Sequence, residues 1–162
     1  MLSVRPSRIS DIEDIMAVYG HAKNFMAECG NAGQWINGYP RRSLIESDIE
    51  NGYSHVVMTE DGCLAGVFCL IIGQDPTYSV IDGAWLDDSA YGTIHRIASS
   101  GIEKGVADCC LAFCLSKIGN IRIDTHTDNV PMRRWISKSS FVFCGIIHTH
   151  DGSPRLAFQL KK

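Results

Sequence analysis

Apolar side chains recur along this chain at two spacings, one near four residues and one near two, and the alternation between them predicts the order of elements. Ile12, Ile15, Met16, Tyr19, Ala22 and Met26 fall three or four apart, which predicts a helix stopped by Gly30. Ser10 to Glu13 read Ser-Asp-Ile-Glu, a capping box at its start, and Leu2–Arg5 before it is short and extended. Ser43–Glu46 repeats the capping signal, and Leu44, Ile45 and Ile49 predict a second, shorter helix ending near Gly52. Ser54–Thr59 and Cys63–Ile72 then flank Glu60-Asp61-Gly62 and read as a hairpin. Tyr78–Ile81 is expected to extend this region, and Asp82–Tyr91 to be irregular. Thr93–Ser99 reads as a strand, followed by a helix from about Glu103 to Ile118 that buries Val106, Ala107, Cys110, Leu111 and Cys114. Ile121–His126 is the next strand. Asp128 or Asn129 caps a helix that takes Pro131 into its first turn and ends near Lys138. Phe141–Thr149 and Arg155–Leu160 close the chain as a hairpin around Asp151-Gly152.

The order β-α-α-β-β-β-α-β-α-β-β predicts an α+β fold, a mixed central sheet flanked by helices. With 162 residues, 45% of them apolar and 20% charged, residues 1–162 are expected to form one domain around one core. A net charge of -3 supplies no basic field for a phosphate backbone, which argues against nucleic acid as partner. The first twenty residues carry acids and no apolar leader core, and the longest apolar stretch, Cys63 to Ile72, is too short to span a bilayer as a helix. A cytoplasmic protein with no membrane partner is expected. Its 7 cysteines are odd in number and form no Cys-x-x-Cys pair, so they read as reduced core residues. Cys109, Cys110 and Cys114 lack further ligands at zinc spacing, and His148 with His150 offers only two, so no metal site is expected.

Chemistry concentrates between His95 and Ala107. There a strand feeds a glycine-containing loop that opens a helix, and such a place aims unpaired backbone N–H groups and a positive dipole end at one point. Phosphate or pyrophosphate is the usual guest, and the bland alternative is an ordinary strand-to-helix loop that happens to hold glycines. Further on, Asn129, Met132, Lys138 and Phe141 fall at the spacing N-x2-M-x5-K-x2-F. With these segments the chain resembles the GNAT superfamily of N-acetyltransferases, and the order of elements matches over nearly its whole length.

The resemblance implies a fold and a cofactor site. Gly105 and Ala107 match the family's pyrophosphate loop for acetyl-CoA, with backbone donors from Glu103, Lys104, Gly105, Val106, Ala107 and Asp108. Asn129 and Met132 match the segment beside the pantetheine arm, which would pair with backbone near Ile97, Ala98 and Ser99 where two strands splay. Ile102 stands where the family carries Gln or Arg, Ser140 where it carries Gly, and Ile136 where it carries the Tyr that protonates the departing thiolate in many members.

Among groups able to move a proton, His95 is the first candidate for general base, since its ordinary pKa lies near neutrality. By period two it would share a face with Ile97 and Ser99, opposite Arg96. The alternative for His95 is a hydrogen-bonded core or rim residue. Asp124 and His126 share a strand face by the same rule and form a second candidate pair, with a turn or capping role as the alternative. Tyr78 is a candidate acid and Asp82 a candidate for binding the acceptor amine, with a structural turn role as the alternative for each. Glu28, Asn31, Gln34 and Trp35 lie between the first two helices, the connection that in GNAT enzymes commonly shapes the acceptor pocket, although Trp35 also suits covering a core. The expected activity is transfer of acetyl from acetyl-CoA to a primary amine of a small molecule or peptide by direct attack. The alternative is a catalytically silent domain of the same fold that binds CoA or a protein, and a homodimer is compatible with either.

Overall fold

The computed structural model describes residues 1–162, and its frame is one eight-stranded sheet in the order β1-β2-β3-β5-β6-β8-β7-β4. The strands are β1 (Ser3–Pro6), β2 (Ser54–Met58), β3 (Leu64–Ile72), β4 (Asp82–Gly83), β5 (Gly92–Ser99), β6 (Asn120–Thr125), β7 (Val142–His148) and β8 (Pro154–Lys161). Every neighbouring pair is antiparallel except β5 and β6, which run parallel with α3 (Val106–Lys117) as their crossover. The mixed α+β architecture expected from the hydrophobic pattern is the one observed.

Helices cover both faces. On one, α3 and α4 (Val130–Lys138) bury Val106, Cys110, Leu111, Cys114 and Ile136 against Ile94, Ile121 and Ile123. On the other, α1 (Ile12–Glu28) and α2 (Arg42–Glu50) bury Ile15, Tyr19 and Ile45 against Val56, Val67 and Ala98. A smaller cluster of Tyr78, Tyr91, Ile147 and Ala157 continues that second face towards β8. The cysteines of α3 serve this packing, and burial pushes the Cys114 thiol up to about 12, far from a reactive thiolate. Gly66 lets α3 sit close. A Cβ there would stand 2.4 Å from Val106 Cγ1 and 2.8 Å from the Ala98 carbonyl oxygen.

Several boundaries depart from the pattern, each for a local reason. Ser10 does not cap α1, because a 3-10 turn at Ile9–Asp11 comes first and Asp11 takes both the Arg8 N–H at 2.7 Å and the Arg5 guanidinium at 2.7 Å. α2 starts at Arg42, one residue before the expected Ser43. Pro76–Tyr78 is a 3-10 turn rather than strand, opened by Asp75, whose carboxylate accepts the Thr77 N–H at 2.9 Å. α3 begins at Val106 and not near Glu103, since Gly105 holds a left-handed φ of 84° that a helix cannot continue through. Asn129 does cap α4, its side chain accepting the Met132 N–H at 3.2 Å.

The largest departure lies in β5. Val67 faces Ala98 while Cys69 faces His95, so two steps of β3 span three of β5, and Arg96 absorbs the extra residue with φ 53°. The bulge breaks the period of two. Ile94 and Ile97 pack on the α3 face, whereas His95 and Arg96 both turn to the opposite face. His95 therefore shares a face with Arg96 and not, as alternation predicted, with Ile97. Arg96 reaches Asp48 of α2 through two hydrogen bonds of 2.9 and 2.7 Å and the Tyr39 hydroxyl at 3.2 Å. Its own carbonyl accepts from Tyr19 of α1 at 3.0 Å.

Replacing Arg96 by Met strands the buried Asp48 carboxylate without a counter-ion. A cost of about 3–5 kcal/mol is expected, read as a lower urea midpoint at unchanged slope. The double replacement R96M/D48L is expected to recover most of it, and a double variant no better than the single would contradict that account.

Candidate active site

β5 and β6 pair only at Gly92 with Ile121 and Thr93 with Arg122. Beyond Thr93 they diverge, so the β5 backbone from Ile94 to Ser99 has no strand beside it on the β6 side. The gap opens into a cavity of about 790 Å³. Ile94, His95, Arg96 and Ile97 line one wall and Ile123, Asp124 and Thr125 the other. The connection between α1 and α2, through Gln34, Trp35 and Tyr39, covers it from one side, and Asn129 and Met132 of α4 close it from another. Thr149, His150 and Asp151, at the tip of the β7–β8 hairpin, complete the rim with Arg155.

The covering connection is tied to the bulge. Trp35 packs edge-on against Tyr19 at 5.6 Å and Tyr39 at 6.3 Å, and Tyr39 accepts from Arg96. Gln34 crosses to the other side, its side-chain oxygen accepting from Asn31 and from Asn129, both at 2.9 Å. Asn129 thus spends its oxygen on the α4 cap and one amide hydrogen on Gln34, leaving one N–H free.

On the cavity floor four polar side chains form two contacts. His95 Nε2 lies 2.7 Å from Asp75 Oδ2, and the Tyr78 hydroxyl donates to Asp124 Oδ2 at 2.6 Å. The Tyr78 and His95 rings stand 6.2 Å apart. An ionised Asp75 can only accept, so Nε2 carries the proton of a neutral His95 and Nδ1 keeps its lone pair. Burial acts to raise the Asp75 carboxyl, but the His95 hydrogen bond and charge outweigh it and hold the group below its usual range. Asp124 goes the other way: burial raises its carboxyl, against the pull of the Tyr78 hydroxyl. Burial likewise keeps Tyr78 protonated, well above its ordinary range.

Behind the cavity, no backbone N–H from Ile102 to Asp108 donates a hydrogen bond within the chain. The left-handed Gly105 turns this row of donors into the first turn of α3. Unpaired donors at a helix start, together with the unpaired edge of β5, fit a pyrophosphate joined to an amide-bearing arm, which is the outline of CoA.

Not every expected residue joins this arrangement. Tyr78 is fully buried beneath the cavity, and its hydroxyl is spent on Asp124. β6 ends at Thr125, so His126 leaves the strand, and its Nδ1 accepts the Asp128 N–H at 3.1 Å outside the cavity wall. Asp82 is exposed in β4 at the far edge of the sheet, paired with Ile146. Glu28 is exposed at the end of α1, and Asn31 is buried behind Gln34. Ile136 is a core residue with no exposure. Asp75 and Arg155, which the pattern did not single out, both belong to the cavity. A residue before Pro at a turn start was the only signal for Asp75, and Arg155 carried none.

No family model and no curated protein matches this sequence. Solved structures do. An acetyltransferase of the GNAT family from Streptococcus agalactiae is 35% identical over 99% of this chain and 95% of its own, with a TM-score of 0.89. GNAT-family acetyltransferases from Listeria monocytogenes (20% identity, 99% and 95% coverage, TM-score 0.72) and Bacillus cereus (21%, 100% and 98%, 0.65) share the fold. So does the NatC complex bound to Gag peptide and CoA, at 10% identity, 99% and 98% coverage and a TM-score of 0.64. Fold and cavity define an acyltransferase of the acyl-CoA type. The chain belongs to the GNAT family, and acyl transfer is the general activity that membership carries.

The two carboxylates give opposite pH signatures. The lowered Asp75 contributes stability above its unfolded pKa, and that stability is lost as pH falls through the folded value. Asp75→Asn is expected to cost ~1.5–3 kcal/mol at pH 7, with the gap to wild type closing on acidification through the carboxylate range. The raised Asp124 penalises the folded state as pH climbs above its unfolded pKa, so Asp124→Asn is expected to gain on wild type over that rise. Thermal unfolding from pH 3 to 8 reads both slopes, and parallel curves would contradict the assignment.

Proposed function

We propose that this protein transfers acetyl from acetyl-CoA to a primary amine by direct attack, with His95 as general base. The observation that carries the reading is the Asp75–His95 contact inside the cavity where β5 and β6 part. When bound, acetyl-CoA supplies a thioester carbonyl already activated towards amines. The unpaired N–H groups between Ile102 and Asp108 would hold its pyrophosphate, and the β5 edge near Ile97, Ala98 and Ser99 its pantetheine arm. An N–H of that edge would also polarise the carbonyl oxygen as charge develops on it.

The proton path then follows from the tautomer. With Nε2–H fixed on Asp75, Nδ1 takes a proton from the substrate ammonium before attack, and Asp75 stabilises the imidazolium that results. The neutral amine attacks, the C–N bond forms and the C–S bond breaks, and the second proton on nitrogen passes to solvent. The electron pair of the broken bond leaves on the thiolate. Ile136, apolar and buried, offers it no proton. Tyr78 serves as a positioning residue through Asp124. Tight enclosure by Trp35, Gln34 and the β7–β8 tip keeps the amine close to the carbonyl.

Acetyl-CoA is expected to raise the melting temperature, and an amine panel is expected to release free thiol. His95→Ala should lower kcat/KM by about 10²–10⁴-fold and abolish the acid limb of the pH profile, with stabilisation by acetyl-CoA retained. Binding without thiol release across the panel would leave a silent CoA-binding domain. An unchanged rate and pH profile in His95→Ala would remove His95 as base.

A further inference from the structure

Arg122 and Arg155 are buried and Arg96 is nearly so, and their charges are answered differently. Arg96 has the Asp48 carboxylate. Arg122 lies over the rings of Trp85 and Tyr91, 4.1 and 3.8 Å from their centroids. Arg155, at the start of β8, bonds to neither a carboxylate nor a ring, and Asp124 and Asp151 act on it only at longer range. It is only 7% exposed, belongs to none of the chain's ion pairs, and lines the same cavity as His95. Its Nη1 donates to the Ser153 hydroxyl and to the Pro154 carbonyl at 3.1 Å, and its Nη2 to the Gln34 carbonyl at 3.0 Å. One hydrogen on Nη2 and the one on Nε then have no acceptor in the chain. A guanidinium largely withdrawn from water with no bonded counter-ion is favoured by a ligand that supplies the missing charge. The planar fork matches a carboxylate or a phosphate.

The sheet register places this cation beside the acid end of the cavity. Asp124 pairs with Ala157, two residues along from Arg155 on the same face of β8. Diagonal neighbours of that kind are ~7–8 Å apart, and here they do not bond to each other. An ammonium directed at Asp124 and His95 and an oxyanion directed at Arg155 are therefore a short molecule apart. We infer that the acceptor is a compact zwitterion, an amine carrying a carboxylate or phosphate, whose anionic group Arg155 holds while its amine meets His95. The inference rests on the acetyltransfer reading and narrows its substrate class.

The test uses the full chain, acetyl-CoA and matched amines: free amino acids, their methyl esters, the corresponding decarboxylated amines, and aminoalkyl phosphates. At least one anionic amine is expected to exceed its neutral-ended partner about 10- to 100-fold in kcat/KM. Amino acids against aminoalkyl phosphates then tell which oxyanion fits. In R155Q that ratio should fall towards one, and R155K should restore part of it. If R155Q does not fold, the wild-type ratios decide alone. Equal or faster turnover of the esters, decarboxylated amines or diamines would overturn the inference and leave acetyltransfer standing. Stabilisation of wild type by the free zwitterion but not by its ester, with no thiol release for any amine, would keep the inference and overturn the activity. No turnover and no such stabilisation would overturn both.

Discussion

The Arg96–Asp48 ion pair is the constraint on which the site depends. A left-handed φ at a non-glycine residue is strained, and β5 holds one at Arg96 because its side chain gains two bonds to a buried carboxylate that α2 delivers. Replacing such a pair by apolar residues need not lower stability, so its value lies in specifying one arrangement. What it specifies is the phase of β5. The extra residue puts His95 and Arg96 on one face together, which alternation forbids, and sends Ile97 back to the α3 core. Without the bulge His95 would still face Asp75, but Arg96 would point into the core around Cys110, and the connection above the cavity would lose its tie through Tyr39.

The same bulge divides the labour between the faces of the sheet. On the α3 side stand the unpaired N–H row and the small side chains that let α3 approach, with Gly66 the closest point. On the α1 side stand the titratable groups: Asp75, His95, Asp124 and, at the start of β8, Arg155. The parting of β5 and β6 is the passage between them. On the proposed reading, a polyanionic cofactor and a small charged acceptor would enter from opposite faces and meet at one gap. The charges that would attract one do not repel the other, because a sheet of buried backbone separates them. The net charge of -3 is no guide to either, since backbone donors and single buried side chains set the local field.

The parts of this arrangement that were legible in the sequence are those fixed by local periodicity. The helical face of α1, the β2–β3 hairpin, the Asn129 cap and the glycine-bearing loop before α3 all leave marks within a few residues. The bulge left none: no local signal predicts that an arginine, rather than a glycine, will take a left-handed conformation. That single residue misplaced the face of His95. His126 lies outside the cavity because β6 ends at Thr125, and Asp82 because β4, two residues long, pairs with β7 far along the chain. Asp75 and Arg155 join the cavity only through tertiary neighbours, one across β5 and the other across β6. Proximity of that kind is a property of register and not of spacing.

Ile136 shows how one such absence propagates. Where the family resemblance expects a hydroxyl, this chain has a side chain with no exposure, packed beneath Trp135 and Phe141 with the α3 core. A hydroxyl placed there would need a buried partner, and the core supplies only apolar neighbours. The position is therefore committed to packing and, on the proposed reading, offers no proton to the departing sulfur. A thiol has an ordinary pKa near 8.5, so at neutral pH a thiolate is only a modestly poor leaving group, whereas an ammonium cannot attack at all. In the proposed transfer to an amine, deprotonating that amine is the step that needs help, and the cavity's titratable groups gather on that side. The Asp75–His95 contact with Nδ1 left open, and the adjoining Asp124, all lie on the acceptor side of the gap. The loss of a proton donor at the leaving group and the richness of acceptors at the nucleophile are two consequences of one allocation.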